Sequence, residues 1–264
     1  MENARAASPT PDQVKAYYDA FSTDRMLGYR VYGNLRIEKA IEFFCSSIEP
    51  NDSVLDVGCG IGIATEAMAS CTQGSVVGVD ISDQNIWYAT QSVSMSNLRF
   101  VSADVLDEAV KLPLDAPPFI ITLCDVIEHI PESQRTALFR RLSALGGPSL
   151  KVMLTFPTAF NLEYQSQEEP SELQIIDNQI PPQTLAQEAA LAGLSMTYFR
   201  MIPVWREVEY AHCIFERNES LKSRVRTAVR FPRSLRQKLE GRLVDPFVRR
   251  SRRRKYIDGI FGRR

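Results

Sequence analysis

Only two histidines, His129 and His212, stand among the 264 residues, so chemistry that needs imidazole has few places to arise. The five cysteines (Cys45, Cys59, Cys71, Cys124, Cys213) are scattered and form no C-x-x-C pair. They read as reduced, mostly buried thiols, which points to a cytoplasmic setting. The polar N-terminus carries no apolar h-region, so no signal peptide is expected. No apolar run approaches the roughly 20 residues of a membrane span. Internal repeats and low-complexity blocks are missing before the last fifth of the chain.

What is present is unevenly charged. Residues 217–264 hold 17 Lys and Arg against 4 Asp and Glu, a net of +13. The other 216 residues carry a net of −14, so a formal charge of −1 hides an acidic body and a basic tail. Apolar residues make up 44% of the chain, enough for a substantial core.

One stretch organises the rest: Val54-Leu55-Asp56-Val57-Gly58-Cys59-Gly60-Ile61-Gly62. It reads as a buried strand, a glycine turn and a helix start, with helical patterning over 61–70. Gly58, Gly60 and Gly62 let bare backbone approach a ligand. Cys59 reads as a small filler in that turn. The spacing is G-x-G-x-G, and Ile61 and Ile63 stand where a dinucleotide fingerprint needs its third glycine. Asp56 just before the turn would repel a pyrophosphate and attract an amine.

Further strands end in acids. Ser75 to Val79 runs into Asp80, with Ile81 and a Ser82 N-cap behind it. Leu98 to Val101 runs into Ser102-Ala103-Asp104-Val105, and Phe119 to Cys124 into Asp125-Val126-Ile127-Glu128-His129-Ile130-Pro131. In an open parallel sheet that edge receives ligands. Helices are expected over 84–95, 132–145 and 184–194, a fifth strand over 151–156, and two further strands over 195–205 and 209–217.

These checkpoints resemble the class I S-adenosylmethionine (SAM)-dependent methyltransferases over roughly residues 35–217. The resemblance implies an α/β, Rossmann-like sheet of seven mostly parallel strands in the order 3-2-1-4-5-7-6, the last antiparallel, with helices on both faces. It implies a cofactor site of Asp56, Gly58, Cys59, Gly60, Gly62, Asp80, Ile81, Asp104, Val105 and Asp125. Asp80 would hold the ribose and Asp104 would face the adenine. It also implies a helical lid in 1–48, a catalytic domain in 49–217 and an added tail in 218–264.

Two helices are expected between 11 and 48, broken at Gly28 and at Gly33-Asn34. Tyr17, Tyr18, Arg30 and Tyr32 are candidate pocket residues there, with packing on the sheet as the alternative for the aromatics. The polar, proline-bearing connection 157–182 reads as a long loop that covers the pocket, with Asn161, Glu163, Tyr164 and Gln174 as its polar groups.

Methyl transfer from a sulfonium is an in-line displacement, and a hydroxyl acceptor benefits from a general base. His129 is the candidate base, oriented by Glu128; holding the turn is the alternative role of both. His212 lies inside a strand and reads as packing. A second resemblance, to small-RNA 2′-O-methyltransferases with an E-x-x-E-H metal segment, stops at Asp125, Glu128 and His129. The following 173–178 region lacks the further histidine, although Asp177 is available. No metal is therefore expected. The favoured reading is a small-molecule O-methyltransferase similar to quinone and natural-product enzymes, with N-methylation and RNA methylation as alternatives. The tail, with a sparse apolar stripe and the block 249–255, is expected to favour an anionic membrane surface over nucleic acid, with a solvated tail or one paired with the acidic body as the alternative. In a non-catalytic alternative, a SAM-binding scaffold docks through that tail.

Overall fold

The computed structural model describes residues 9–21 and 26–226. The chain divides into two compact units, 1–222 and 223–264, and the first carries the sheet. The basic block of the tail and most of its apolar stripe lie outside the described residues. No described helix is long and apolar enough to cross a membrane.

Three helices precede the sheet: α1 (Pro11–Phe21), α2 (Leu27–Tyr32) and α3 (Leu35–Cys45). Then come β1 (Val54–Val57), α4 (Ile63–Cys71), β2 (Val76–Asp80), α5 (Asp83–Ser92), β3 (Leu98–Ser102), β4 (Ile120–Cys124), α6 (Glu132–Leu145) and β5 (Lys151–Pro157). The chain continues through α7 (Ala159–Glu168), α8 (Pro182–Ala190), β6 (Leu194–Ile202), β7 (Tyr210–Arg217) and α9 (Asn218–Arg226). The strands form one sheet in the order β3-β2-β1-β4-β5-β7-β6. β1 to β5 are parallel, and β7 runs antiparallel to both β5 and β6. This is the order and the reversed final hairpin expected above.

β1 and β2 are buried at every position, as central strands covered on both faces must be. Alternation decides which helices each residue meets. Leu55, Val57, Ile121, Leu123, Val152 and Leu154 pack in one cluster with Leu138, Phe139 and Leu142 of α6 and Leu185 and Ala189 of α8. Val54, Val76, Ile120 and Met153 pack on the opposite face with Ala40 and Phe44 of α3 and Met68 of α4. A buried ion pair joins the first pair of helices: Arg135 Nε lies 3.0 Å from both oxygens of Glu188. His212 of β7 stacks on Phe43 of α3 at 4.6 Å, so it is a packing residue. Burial, with Lys39 and Arg200 nearby, pushes its imidazole down to about 4 and keeps it neutral.

Local chemistry sets the helix starts. Asn34 caps α3 by accepting from the backbone N–H of Arg36 and Ile37. Asn34→Ala is expected to cost about 1 kcal/mol of stability, read as a lower denaturant midpoint. α4 begins two residues later than its pattern suggested, because Gly62 is left-handed at φ 79° and must precede the helix. Gly28 does not break a helix; it sits inside α2 with open space around it, where a glycine is tolerated.

The connection 157–182 also differs from its reading as a long loop. Thr158 accepts from Asn161 N–H and caps α7, and a 3-10 turn at Pro170–Glu172 follows. Composition hid this helix, because the apolar positions of α7 are few and only Asn161 and Leu162 are buried.

Candidate active site

At the carboxyl edge of β1, β2 and β4 lies a cavity of about 260 Å³. Its floor is the β1–α4 turn. The N–H groups of Gly58 and Cys59 both donate to the Val79 carbonyl, at 2.7 and 3.0 Å, and bend the turn over β2. Gly58 has φ 70°, and a Cβ there would overlap the Val126 side chain. A side chain at 58 is therefore excluded twice, by conformation and by space.

Asp80 ties that floor to the next strand. Its Oδ2 accepts from Gly60 N–H at 2.8 Å, and its Oδ1 from Ser82 N–H at 2.9 Å and Asn85 Nδ2 at 3.0 Å. It is buried yet lines the cavity, and Oδ2, with a single bond made, retains a lone pair. Asp56 is more enclosed: Thr65 donates to one oxygen at 2.6 Å and Thr122 to the other at 2.8 Å. Burial outweighs those two bonds and pushes Asp56 up to about 6. Asp104 reaches the cavity from beyond β3 while accepting from Leu106 N–H at 2.8 Å.

Asp125, the first residue after β4, is left-handed at φ 54°. A non-glycine residue there marks a backbone held against its preference. What holds it is visible. Its N–H donates to the Thr155 carbonyl at 2.9 Å, and its carboxylate pairs with Arg36 from the first turn of α3. The Arg36 guanidinium lies 6.0 Å from the Tyr29 ring and 5.8 Å from the Tyr210 ring. Burial opposes its charge, but Asp125 more than offsets this and the guanidinium stays protonated.

His129 closes the 3-10 turn Ile127–His129. Its Nδ1 donates to the Ile176 carbonyl at 2.5 Å and lies 3.3 Å from Asp177 Oδ1; its Nε2 lies 3.8 Å from Glu128 Oε1. Burial favours the neutral ring, yet Glu128, Asp177 and the Ile176 carbonyl outweigh it and push His129 up to about 9. Burial raises Glu128 to about 8, although His129 pulls the other way. The Tyr18 ring flanks the imidazole at 5.9 Å.

The cavity therefore brings together Asp56, Gly58, Cys59, Gly60, Asp80, Ile81, Asp104, Val105, Asp125, His129 and Tyr18. It does not bring in the remaining sequence candidates. Gly62 lies behind the floor, where a Cβ would meet Phe100 and Ala89. Glu128 is buried behind His129. Tyr17 packs edge-on against Tyr18 at 5.3 Å. Arg30 is drawn away by Glu66 Oε2 at 2.9 Å and the Ile61 carbonyl at 3.0 Å. Tyr32 is 89% exposed. Tyr164 lies under the Arg206 guanidinium at 4.3 Å, on the outer side of α7.

Arg36, Tyr29, Met26, Asn85 and Gln174 line the cavity as well, and only Gln174 had been singled out, as a polar group of the covering segment. Arg36 had one available signal: a cation in the first turn of a helix opposes the macrodipole, so it needs a partner elsewhere. Among the described residues, no group of three or more His, Cys, Asp and Glu side chains is arranged to hold a metal ion.

Residues 54–148 match the family model described as Methyltransferase domain. The sheet order, the glycine turn and the row of carboxylates agree with that match. That segment is similar to methyltransferase domains. A ubiquinone biosynthesis O-methyltransferase of Bordetella parapertussis is 28% identical over 156 residues, 56% of this chain and 64% of that protein. One of Coxiella burnetii is 36% identical over 104 residues, 39% of this chain and 42% of that protein. The chain thus spans less than two thirds of the length of these relatives. The magnesium protoporphyrin IX methyltransferase of Synechocystis PCC 6803, solved with bound S-adenosylhomocysteine (SAH), superposes with a TM-score of 0.62. It is 18% identical and covers 79% of this chain and 100% of its own, so what the methyltransferase domain shares with it is the fold.

Proposed function

We propose that this chain transfers a methyl group from SAM to a hydroxyl of a small-molecule acceptor. The observation that carries the reading is the charge of the cavity wall. Asp56, Asp80, Asp104 and Asp125 face it, with Arg36 as the permanently charged cation among the described lining residues. A pyrophosphate would meet repulsion there; a cation with one carboxylate, such as the methionyl sulfonium of SAM, would not. The lining also offers partners for an adenosine. Asp80 would take a ribose hydroxyl with its remaining lone pair, and Asp104 the adenine amino group. Asp56 would receive the amino group, and Arg36 the carboxylate.

When bound, SAM supplies an activated methyl group on sulfur. The protein's own work is then alignment and proton removal. Because His129 Nδ1 donates to the Ile176 carbonyl, the lone pair of the neutral ring is on Nε2. That nitrogen would take the acceptor's proton as the oxygen attacks. Tyr18 and Gln174 flank the same space. The names of the two quinone-pathway relatives support a ring hydroxyl as acceptor.

Calorimetry with SAM, SAH and a nicotinamide dinucleotide tests the cofactor. Binding of the first two alone is expected, and binding of the dinucleotide instead would reject the proposal. SAH release from a panel of phenols, quinols, sugars, amines and RNA, with and without Mg²⁺, tests the acceptor. The base makes a separate prediction. A His129 held up to about 9 is protonated at neutral pH and must lose its proton to act. The rate should climb about tenfold per pH unit below 9, and His129→Gln should flatten the profile. A wild-type rate that is flat from neutrality to pH 9 would remove His129 from the role.

A further inference from the structure

The covering segment 174–178 is knitted onto the turn that carries His129. Asn178 donates twice to the Glu128 carbonyl, from its N–H and from its Nδ2, each at 2.9 Å. Its Nδ2 also lies 3.3 Å from the Ile130 carbonyl. Next to that anchor the segment presents two acceptors to one imidazole nitrogen. The Ile176 carbonyl receives His129 Nδ1 at 2.5 Å, and Asp177 Oδ1 stands 3.3 Å from the same atom. The other oxygen of Asp177 accepts from the Gln174 N–H, so the carboxylate is held at both ends. Both side chains are sheltered, His129 at 10% and Asp177 at 11% exposure, so water screens the pair little.

We propose, on the reading of His129 as the base, that Asp177 is a positioning residue that holds the ring by Nδ1 and leaves Nε2 to the acceptor. Glu128 does not fill this role. It approaches Nε2, the nitrogen that must stay free, at 3.8 Å, and its Oε2 has no hydrogen-bond partner among the described residues. An aspartate suits position 177 because two donors converge there, one on each oxygen. An asparagine accepts from only one of them and turns an N–H toward the other.

The carboxylate also sets when the ring gives up its proton. The ring is faced by Glu128 and Asp125 from its own segment, by Asp177 from the covering segment and by Tyr18 from α1. Arg36 already pairs with Asp125. Removing the charge at 177 favours the neutral ring, so the proton leaves at lower pH.

The test follows the imidazoles of the full chain by NMR across neutral and alkaline pH. Only His129 and His212 titrate, and His129→Gln tells them apart. In Asp177→Asn the His129 midpoint should fall by roughly one pH unit, which makes about ten times more of the ring neutral at pH 7. Asp177→Glu, which keeps the charge, should restore most of that shift. Asp115→Asn removes an exposed carboxylate paired with Arg99 and should leave the midpoint unchanged. An unmoved midpoint in a folded Asp177→Asn chain would overturn the proposal. A second measurement needs no variant: nitrogen shifts of the wild-type neutral ring should show the proton on Nδ1, and a proton on Nε2 would overturn it equally. SAH release with an acceptor drawn from the panel is then followed over the same pH range. An acid limb that moves with the titration, with a plateau roughly tenfold lower, shows Asp177 aiming a working base. If the titration moves and the limb does not, Asp177 still holds the ring, and it is the base role of His129 that falls.

Discussion

Asp80→Ala is expected to weaken SAM binding roughly 50-fold. The side chain accepts from Gly60 N–H, Ser82 N–H and Asn85, and in the proposed complex it also accepts from the ribose. Losing one charge-assisted bond to ribose at about 1.5–3 kcal/mol gives a loss of this order. Alanine also leaves Gly60 N–H without its acceptor, so the floor of the site loosens along with the sugar contact. Asp80→Asn separates the two effects. An amide oxygen can still receive Gly60 N–H, but the charge toward the ribose is gone, so an intermediate loss is expected. Calorimetric titration of each variant with SAM and SAH reads the result. Affinity unchanged in Asp80→Ala would show that no sugar binds there.

The second large effect is expected at Arg36. Arg36→Met removes the partner of Asp125 and leaves a carboxylate buried and unpaired on a backbone already held at φ 54°. Breaking one side of a buried pair costs about 3–5 kcal/mol, which corresponds to roughly 10 °C in melting temperature for a domain of this size. Replacing both partners, Arg36→Met with Asp125→Asn, should restore much of the stability, since the pair then carries no orphaned charge and asparagine tolerates the left-handed backbone. It should not restore SAM binding, because the cation proposed for the methionyl carboxylate is still missing. Thermal melts and titrations of the single and double variants check both halves. Full SAM affinity in the stable double variant would remove Arg36 from the cofactor site.

The parts of the site legible in the sequence share one property: each is local. The strand-then-glycine pattern from Val54 to Gly62, the acid at Asp80 and the acid at Asp104 are fixed by their immediate neighbours and by the alternation of a buried sheet. Arg36 escaped notice because its role is set by Asp125, 89 residues away in the chain. Tyr29 and Tyr210 escaped for the same reason. Arg30 stood nearby and looked equivalent, but Glu66, one turn into α4, captured it. His129 was visible, while the groups that charge it were only half visible. Glu128 is adjacent, but the Ile176 carbonyl and Asp177 arrive from a connection that composition made look unstructured. Helix α7 was missed because its start depends on a threonine cap rather than on a strong apolar stripe.

The cavity is also divided along the chain. Tyr18, Met26, Tyr29, Arg36 and Ile37 come from before Val54, and Gln174 and Ile176 from well after residue 148. The segment 54–148, which carries the family match, supplies the glycine floor and the carboxylates between these two flanks. Two strips of chain that lie far apart in sequence thus border one platform. Substitutions at Gln174 or Ile176 would then reshape the acceptor side without reaching the glycine floor, whereas a change at Arg36 would reach the donor as well.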